Sequence, residues 1–286
     1  MDKINIEITD KFSLLTIKEF LKENNVGRGK IEYIRVNKLS LVNDVFMPLE
    51  TKLQKGDKLS FIIDENIDFV AENKDIDVVY EDEYVLIVNK PINMIIHPDD
   101  KSKTGTLVNL VANYYKKKNI NRQVRYIHRI DKDTSGLVLF AKDFLSEAIL
   151  LKDLQNNLIS RYYLALVEGK LERKSGTINA PIGKDRHINN KMCVSSTGKE
   201  AISKYELVNQ FNNYCLVKFK LLTGRTHQIR VHASYINHPL LGDVVYGGNY
   251  QYIKRIALHS HQIDFIHPIT KKELSIKLDI PNDMKI

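Results

Sequence analysis

Six ionisable side chains fall within the eleven residues 125–135: Arg125, His128, Arg129, Asp131, Lys132 and Asp133. Thr134-Ser135-Gly136 ends the cluster, and the apolar run Leu137-Val138-Leu139-Phe140-Ala141 follows, closed by Lys142. A run of that length and composition, bounded by Gly136 and Lys142, predicts a buried strand. A charged turn backed by such a strand can hold a reactive group rigidly at a surface. The same residues also suit a polar turn in which Asp131 and Thr134 only satisfy backbone groups, since clustered charges occur structurally as well. The residue types alone leave both readings open.

A second concentration of polar chemistry lies at Leu221-Leu222-Thr223-Gly224-Arg225-Thr226-His227-Gln228-Ile229-Arg230-Val231-His232. It reads as a strand ending at Leu222, a turn at Gly224 and a helix beginning near Thr226. On such a helix Thr226 and Arg230 share a face, as do His227 and Arg230. His227 and His232 are five apart, whereas the helical zinc motif needs a spacing of four and a Glu beside the first His. No metal site is expected. The only cysteines, Cys193 and Cys215, make neither a disulfide framework nor a zinc cluster. No Gly-rich phosphate loop of the nucleotide-binding type is present.

The elements that must position these residues can be read from periodicity. Ile4, Ile6 and Ile8 alternate over residues 3–8, predicting a strand. Thr16 and Glu19 form a capping-box pattern ahead of Ile17, Phe20 and Leu21 at helical spacing. A second helix is expected near Gly29–Arg35, and Lys55-Gly56-Asp57 turns into a strand over Lys58–Ile63. The polar stretch Ala71–Asp77 separates a small αβ unit, residues 1–70, from residues 78–286, so the linker is set at 71–77. Strands are expected at Val78–Tyr80 and Tyr84–Asn89. Thr106 is expected to cap a helix over Leu107–Tyr115 whose stripe of Leu107, Leu110, Val111 and Tyr114 is core. An amphipathic helix is expected over Phe144–Gln155 and a strand over Arg161–Gly169, with Tyr162 and Tyr163 on opposite faces.

A chain of 286 residues accommodates one large domain and a small one. It opens without a signal-peptide pattern, and no apolar run approaches the roughly 18 residues of a membrane span. A cytoplasmic, membrane-free, monomeric protein is the economical expectation. The net charge of +8 is unevenly spread: residues 1–75 hold 12 basic and 14 acidic residues, the remainder 31 basic and 21 acidic. The excess gathers at Lys116, Lys117, Lys118, Arg122, Arg125, Arg129 and Lys132. A basic field of this kind suits a polyanionic partner.

The stretch His128-Arg-Ile-Asp131-Lys-Asp-Thr134-Ser-Gly-Leu-Val-Leu-Phe-Ala-Lys142 resembles the signature HRLDxxTSGLxxxAK of the RluA-type pseudouridine synthases, with Ile130 in place of Leu. Lys90-Pro91…His97-Pro98 is similar to the family's KPxGxxxHP segment, with Asn93 where Gly is usual; Asn tolerates positive φ, so the turn can survive. Arg161-Tyr-Tyr163-Leu-Ala-Leu-Val-Glu-Gly169 resembles its KxYxAxVxG strand. Thr223–His232 matches its TGRTHQIRVH pattern at every residue. The segments 238–248 and Ala257-Leu258-His259-Ser260 also resemble the family and are expected to brace the site, the former as a mobile loop. The N-terminal unit is similar, more weakly, to the RNA-binding domain named after the fourth small-subunit ribosomal protein.

The resemblance implies an α+β fold: a mixed, largely antiparallel sheet of the pseudouridine synthase type with a central RNA-binding cleft, preceded by the small αβ domain. It implies conversion of uridine to pseudouridine in structured RNA, with large-subunit ribosomal RNA the first expectation and transfer RNA the second. A competing reading is an RNA-binding protein without catalysis. Asp131 is implied as the catalytic carboxylate, Arg230 as its charge partner and Tyr163 as the active-site phenol. His128, Arg129, Thr134, Arg161, Arg225, His227 and Leu258 are expected to bind substrate, Arg129 by filling the gap left by a flipped uridine. An isomerisation requires no organic cofactor.

Overall fold

A computed structural model describes residues 2–99 and 103–286. Strand β1 (Lys3–Glu7) buries Ile4 and Ile6, and Ile8 is buried just beyond it. Thr16 starts α1 (Ile17–Glu23) with the expected reciprocal cap: Glu19 N–H donates to the Thr16 hydroxyl at 3.2 Å, and Thr16 N–H to the Glu19 carboxylate at 2.8 Å. Helix α2 (Arg28–Val36) and strands β2 (Ser40–Val42), β3 (Val45–Phe46) and β4 (Lys58–Ile62) complete an antiparallel sheet in the order β1-β4-β2-β3. Phe20, Leu21, Ile31 and Ile34 of the two helices share one core with the strands.

Residues 63–76 carry no regular structure, but they are tied down. Asp68 accepts from Val124 N–H at 2.9 Å, and the Val70 carbonyl accepts from the Asn109 side chain at 2.9 Å. The second, larger sheet begins with β5 (Asp77–Glu81) and β6 (Val85–Lys90). Then follow α3 (Leu107–Lys117), β7 (Arg125–Tyr126), β8 (Ser135–Ala141), α4 (Phe144–Gln155) and β9 (Ser160–Glu168). The chain continues through β10 (Ser175–Asn179), the hairpin β11 (Ile182–Lys184) and β12 (Met192–Val194), β13 (Ile202–Gln210) and β14 (Tyr214–Leu221). Helix α5 (Gln228–Tyr235), β15 (Leu258–Ile266) and β16 (Glu273–Lys277) close it. The large sheet runs β10-β13-β14-β9-β15-β8-β6-β5, with β16 beside β15 and β7 beside β8. Among the described pairings only β8 with β15 is parallel, so the sheet is mixed and largely antiparallel, as expected. No helix among the described residues is long and apolar enough to cross a membrane.

Strand β8 is buried along its whole length. Val138 and Phe140 pack on the α3 side; Leu137 and Leu139 pack on the α4 side with Leu150. The pairing with β15 needs Gly136. Its φ is +110°, and a Cβ there would lie 2.2 Å from the Ser260 carbonyl oxygen, so no side chain fits and the two backbones close together. The residues that precede β8 therefore leave a strand that cannot shift.

Three expectations change. Helix α4 spans the expected residues but is not amphipathic in the surface sense: Phe144, Leu145 and Ile149 join the core of the small sheet, while Leu150 joins that of the large one. A helix covered on two sides has no continuous polar face to display. On α3 the fully buried ring is Tyr115, whereas Tyr114 lies at the edge and donates to Glu81 at 2.6 Å. Finally, the basic cluster is partly internal. Arg122 is buried and pairs with Asp2 at 2.6 Å; Arg125 is buried and pairs with Glu65 at 2.7 Å and Glu147 at 3.0 Å. These guanidiniums join the two sheets instead of facing a polyanion.

Candidate active site

The loop between β7 and β8, residues 127–134, is held from below. His128 is buried, and its Nε2 accepts the Leu139 N–H at 3.3 Å. Burial, with the Arg161 cation adding to it, pulls its pKa down to about 3, so the ring is neutral at ordinary pH. Lys90, fully buried at the end of β6, donates to the carbonyls of Pro91 and Met94 at 2.8 Å each and of Lys132 at 3.0 Å. Burial lowers the Lys90 pKa to about 7, against the pull of Asp133 and Asp131. Asn93, at φ +59°, makes the turn that brings Met94 round; there Met94 N–H donates to the Lys132 carbonyl at 3.2 Å. Thr134, buried, returns its N–H to the Asp131 carbonyl at 3.1 Å. The Asp131 carboxylate itself stays 28% exposed.

Arg230 approaches Asp131 from α5. Its Nη1 lies 3.9 Å from Asp131 Oδ2, and its shorter bonds go elsewhere: Nε to Asp243 at 2.7 Å and Nη2 to Asp243 at 2.9 Å. Burial opposes the Arg230 charge, but the bidentate Asp243 contact outweighs it and raises the guanidinium's pKa further. The Tyr246 ring lies 4.9 Å from its Cζ, completing the seat. Arg230 is thus a fixed cation with one nitrogen left toward Asp131, rather than a close partner of it.

The turn before α5 also differs from expectation. The helix begins at Gln228, and His227 is left-handed at φ +56°, so neither Thr226 nor His227 shares a helical face with Arg230. The Gln228 side chain organises this turn, accepting the Arg225 N–H at 2.9 Å and the Thr223 hydroxyl at 2.8 Å. His227 Nδ1 lies 2.9 Å from the Tyr246 hydroxyl, which already accepts the Met192 N–H at 2.9 Å. The Tyr246 hydroxyl thus ties the His227 ring to the β11–β12 hairpin. Burial lowers the His227 pKa, with Asp131 pulling against it. His232 is turned away, bonded to Ser203 and to the Ala180 carbonyl at 2.9 Å each.

From the sheet, β9 contributes Tyr163 and Arg161. Tyr163 pairs with Ser260 on β15 and Phe219 on β14; it is buried, and burial raises the pKa of its phenol. Tyr162 faces the other way, with the ammonium groups of Lys218 and Lys220 over its ring at 4.6 and 5.2 Å. Arg161 is buried, and its Nε has no hydrogen-bond partner among the described residues. Leu258, at the start of β15, is buried in the same core as Tyr163.

These groups face one open cleft of about 1010 Å³. It brings together all ten residues singled out in the sequence: Asp131, Tyr163, Arg230, His128, Arg129, Thr134, Arg161, Arg225, His227 and Leu258. Arg129 is exposed there, and Arg225 is tethered by its Nε to the Glu200 carbonyl at 2.8 Å. Sequence reasoning missed Lys90 and Gln228 as supports; for Asp243 and Tyr246 it expected a bracing segment without naming Arg230 as what they hold. Asp243 and Tyr246 stand in the segment expected to be mobile, where the Asp243 carbonyl accepts from both Tyr246 N–H and Gly248 N–H. A carboxylate thirteen residues beyond Arg230 carries no spacing signal, since the turn between them is irregular.

Residues 84–235 match the family described as RNA pseudouridylate synthase. An RNA pseudouridine synthase of Bacillus subtilis (strain 168), YlyB, is 38% identical, covering 99% of this chain and 96% of its own length. A ribosomal large subunit pseudouridine synthase D of Buchnera aphidicola is 36% identical, covering 100% of this chain and 91% of its own. Among solved structures, human RNA pseudouridylate synthase domain containing 1 superposes with a TM-score of 0.59 at 24% identity, over 73% of this chain and 85% of its own. That likeness concerns the fold.

Proposed function

The chain belongs to the RluA-type family of RNA pseudouridine synthases, isomerases that convert uridine to pseudouridine in RNA, and from that premise we propose that it modifies uridine in large-subunit ribosomal RNA with Asp131 as the catalytic residue. The observation that carries the assignment is the Asp131 carboxylate, part-exposed at the cleft and 3.9 Å from a guanidinium that Asp243 holds in place. A fixed cation at that range faces the carboxylate while leaving it free to move onto the sugar.

The isomerisation breaks the bond between base and sugar, turns the base and rejoins it through carbon. An ionised Asp131 serves by attacking the sugar carbon or by promoting loss of the base. Tyr163, against the cleft with a phenol that burial keeps protonated, offers a ring face to the base and an O–H donor during the rearrangement. Arg129, exposed beside the loop, fills the gap left by the extruded nucleotide. His128 and Thr134 hold the loop; Arg161, Arg225, His227 and Leu258 contact the nucleotide. His227 presents its second ring nitrogen at the cleft.

Residues 1–70 form an accessory unit in this reading, joined by 71–77 to a catalytic unit of residues 78–286. A cytoplasmic monomer acting directly on RNA completes the proposal. The ribosomal target rests on the printed function of relatives such as the Buchnera enzyme. It is tested by mapping pseudouridine in total RNA from cells with and without the gene. Loss of sites in large-subunit ribosomal RNA supports it; loss confined to transfer RNA overturns the target but not the chemistry.

A further inference from the structure

One end of the cleft holds a feature that the chemistry at Asp131 does not use. Phe69, His97 and Tyr126 come from three separate segments and meet as an aromatic cluster. The His97 ring stands edge-on to Phe69 at 5.4 Å between centroids and inclined to Tyr126 at 5.7 Å. His97 and Tyr126 line the cleft itself. His97 is exposed, while Phe69 and Tyr126 are half-buried with their inner edges on the core beneath α3.

The cluster is built, not incidental. Phe69 lies in an irregular segment, yet its neighbours on both sides are pinned, Asp68 by the Val124 N–H and Val70 by the Asn109 side chain. His97 is oriented by its own turn, Nδ1 standing 2.7 Å from the Pro98 carbonyl; a carbonyl can only accept, so Nδ1 carries a hydrogen. Aromatic rings held at a surface beside a cleft are suited to contact a ligand that enters it. The exposed charges lining the cleft are mixed, Arg129 and Lys132 against Asp99 and Glu200. Volume points the same way: at about 1010 Å³ the cleft lies at the upper limit of the roughly 300–1,000 Å³ that small-molecule sites span. It has room for more than one extruded nucleotide.

We propose that the Phe69–His97–Tyr126 cluster is a stacking platform for an unpaired nucleobase next to the target uridine in the RNA strand. Base stacking on aromatic side chains tolerates any sequence, because every base has a π-face. The platform thus holds the strand while Asp131 acts on the neighbouring nucleotide. The segment 63–76 contributes Phe69, so the connection between the two sheets is part of the substrate site. This inference rests on the RNA-modifying reading above but makes a separate demand on binding.

The test uses the full chain and a short, fluorescein-labelled single-stranded RNA of mixed sequence, with an abasic strand of equal length for comparison. Fluorescence anisotropy gives Kd for both strands. His97→Ala, at an exposed position, should weaken binding of the base-bearing strand about tenfold, and His97→Phe, which keeps a ring but no charge, should restore most of it. On the abasic strand wild type and His97→Ala should bind alike. An unchanged Kd for His97→Ala on the base-bearing strand overturns the platform. So does an equal loss on both strands, which would make His97 a phosphate contact. Tritium release from uridine-labelled RNA by the wild type is read separately: its absence sinks the catalytic reading, whereas the anisotropy result judges the platform either way.

Discussion

Arg230 shows why the site cannot be described as a pair. Its guanidinium is buried and bonded twice to the fully buried Asp243, with Tyr246 against its flat face. Tyr246 also bonds the His227 ring and takes the Met192 N–H, so one phenol positions the cation, the imidazole and the hairpin β11–β12. Tyr246→Phe keeps the ring but removes the hydroxyl. We expect kcat to fall about tenfold, the equivalent of roughly 1.4 kcal/mol in the transition state, with little change in KM. Steady-state tritium release measures the split; a rise in KM at constant kcat would make Tyr246 a substrate-binding group instead. His128 gives a pH prediction. Its folded pKa of about 3 lies below the ordinary value near 6.5. Between these values the unfolded chain holds a proton that the folded chain does not. Its contribution to stability is therefore intact above pH 6.5 and declines as pH falls toward 3, by about 1.4 kcal/mol per pH unit. His128→Gln should flatten the acid limb of urea-unfolding stability by about one proton between those pH values. An unchanged slope would show that His128 is not the group being protonated. Buried His259, whose pKa burial and Arg255 lower to about 4, adds a similar slope that remains in the variant.

At the scale of elements, β8 and α4 decide what holds the catalytic loop. Strand β8 was legible because an unbroken apolar run between Gly136 and Lys142 has few other homes. The caps at Thr16 and Thr106 were legible as well, since capping is written within four residues. Helix α4 was located but its role was not, because contact with two cores leaves a weak periodicity. The same contact alters what removing residues 1–76 should do. From charge alone, a chain beginning at Asp77 is expected to keep isomerising and to lose little RNA affinity. The packing argues otherwise. Phe144, Leu145 and Ile149 would be uncovered, each worth about 1.5–3 kcal/mol when fully buried, against a total stability of about 5–15 kcal/mol for a domain. Arg125 would lose Glu65, and His97 would lose the Phe69 ring beside it. We predict that the truncated chain 77–286 melts well below the full chain in circular dichroism, or fails to fold, and turns over poorly where it does fold. A melting temperature and turnover equal to those of the full chain would show the small sheet to be an independent appendage.

Over the whole molecule, the cleft forms where loops from distant parts of the chain converge on β8, β9 and β15. All ten residues expected at the site face it, because the segments around Asp131, Tyr163 and Arg230 each carry a recognisable local pattern. Their supports were legible only in part: the segment holding Asp243 was expected to brace the site, but that Asp243 acts on Arg230, and Lys90 on Lys132, rests on contacts that no spacing encodes. Charge was misread for a similar reason. Arg122 and Arg125 look like part of a phosphate-binding field in sequence, yet their acidic partners lie 120 and 60 residues earlier. The exposed basic charge of that loop is instead the pair Arg129 and Lys132.

The most direct test of the account compares wild type with Asp131→Asn on RNA labelled with tritium at carbon five of uracil. Forming the carbon–carbon glycosidic bond expels that hydrogen, so tritium release reports the isomerisation itself. Asn keeps the size of Asp131 but removes the charge that either route requires. We predict release by the wild type, none detectable from Asp131→Asn, and RNA binding by the variant equal to or slightly tighter than wild type, because one negative charge facing phosphate is gone. Release by Asp131→Asn at the wild-type rate would contradict the assignment of Asp131.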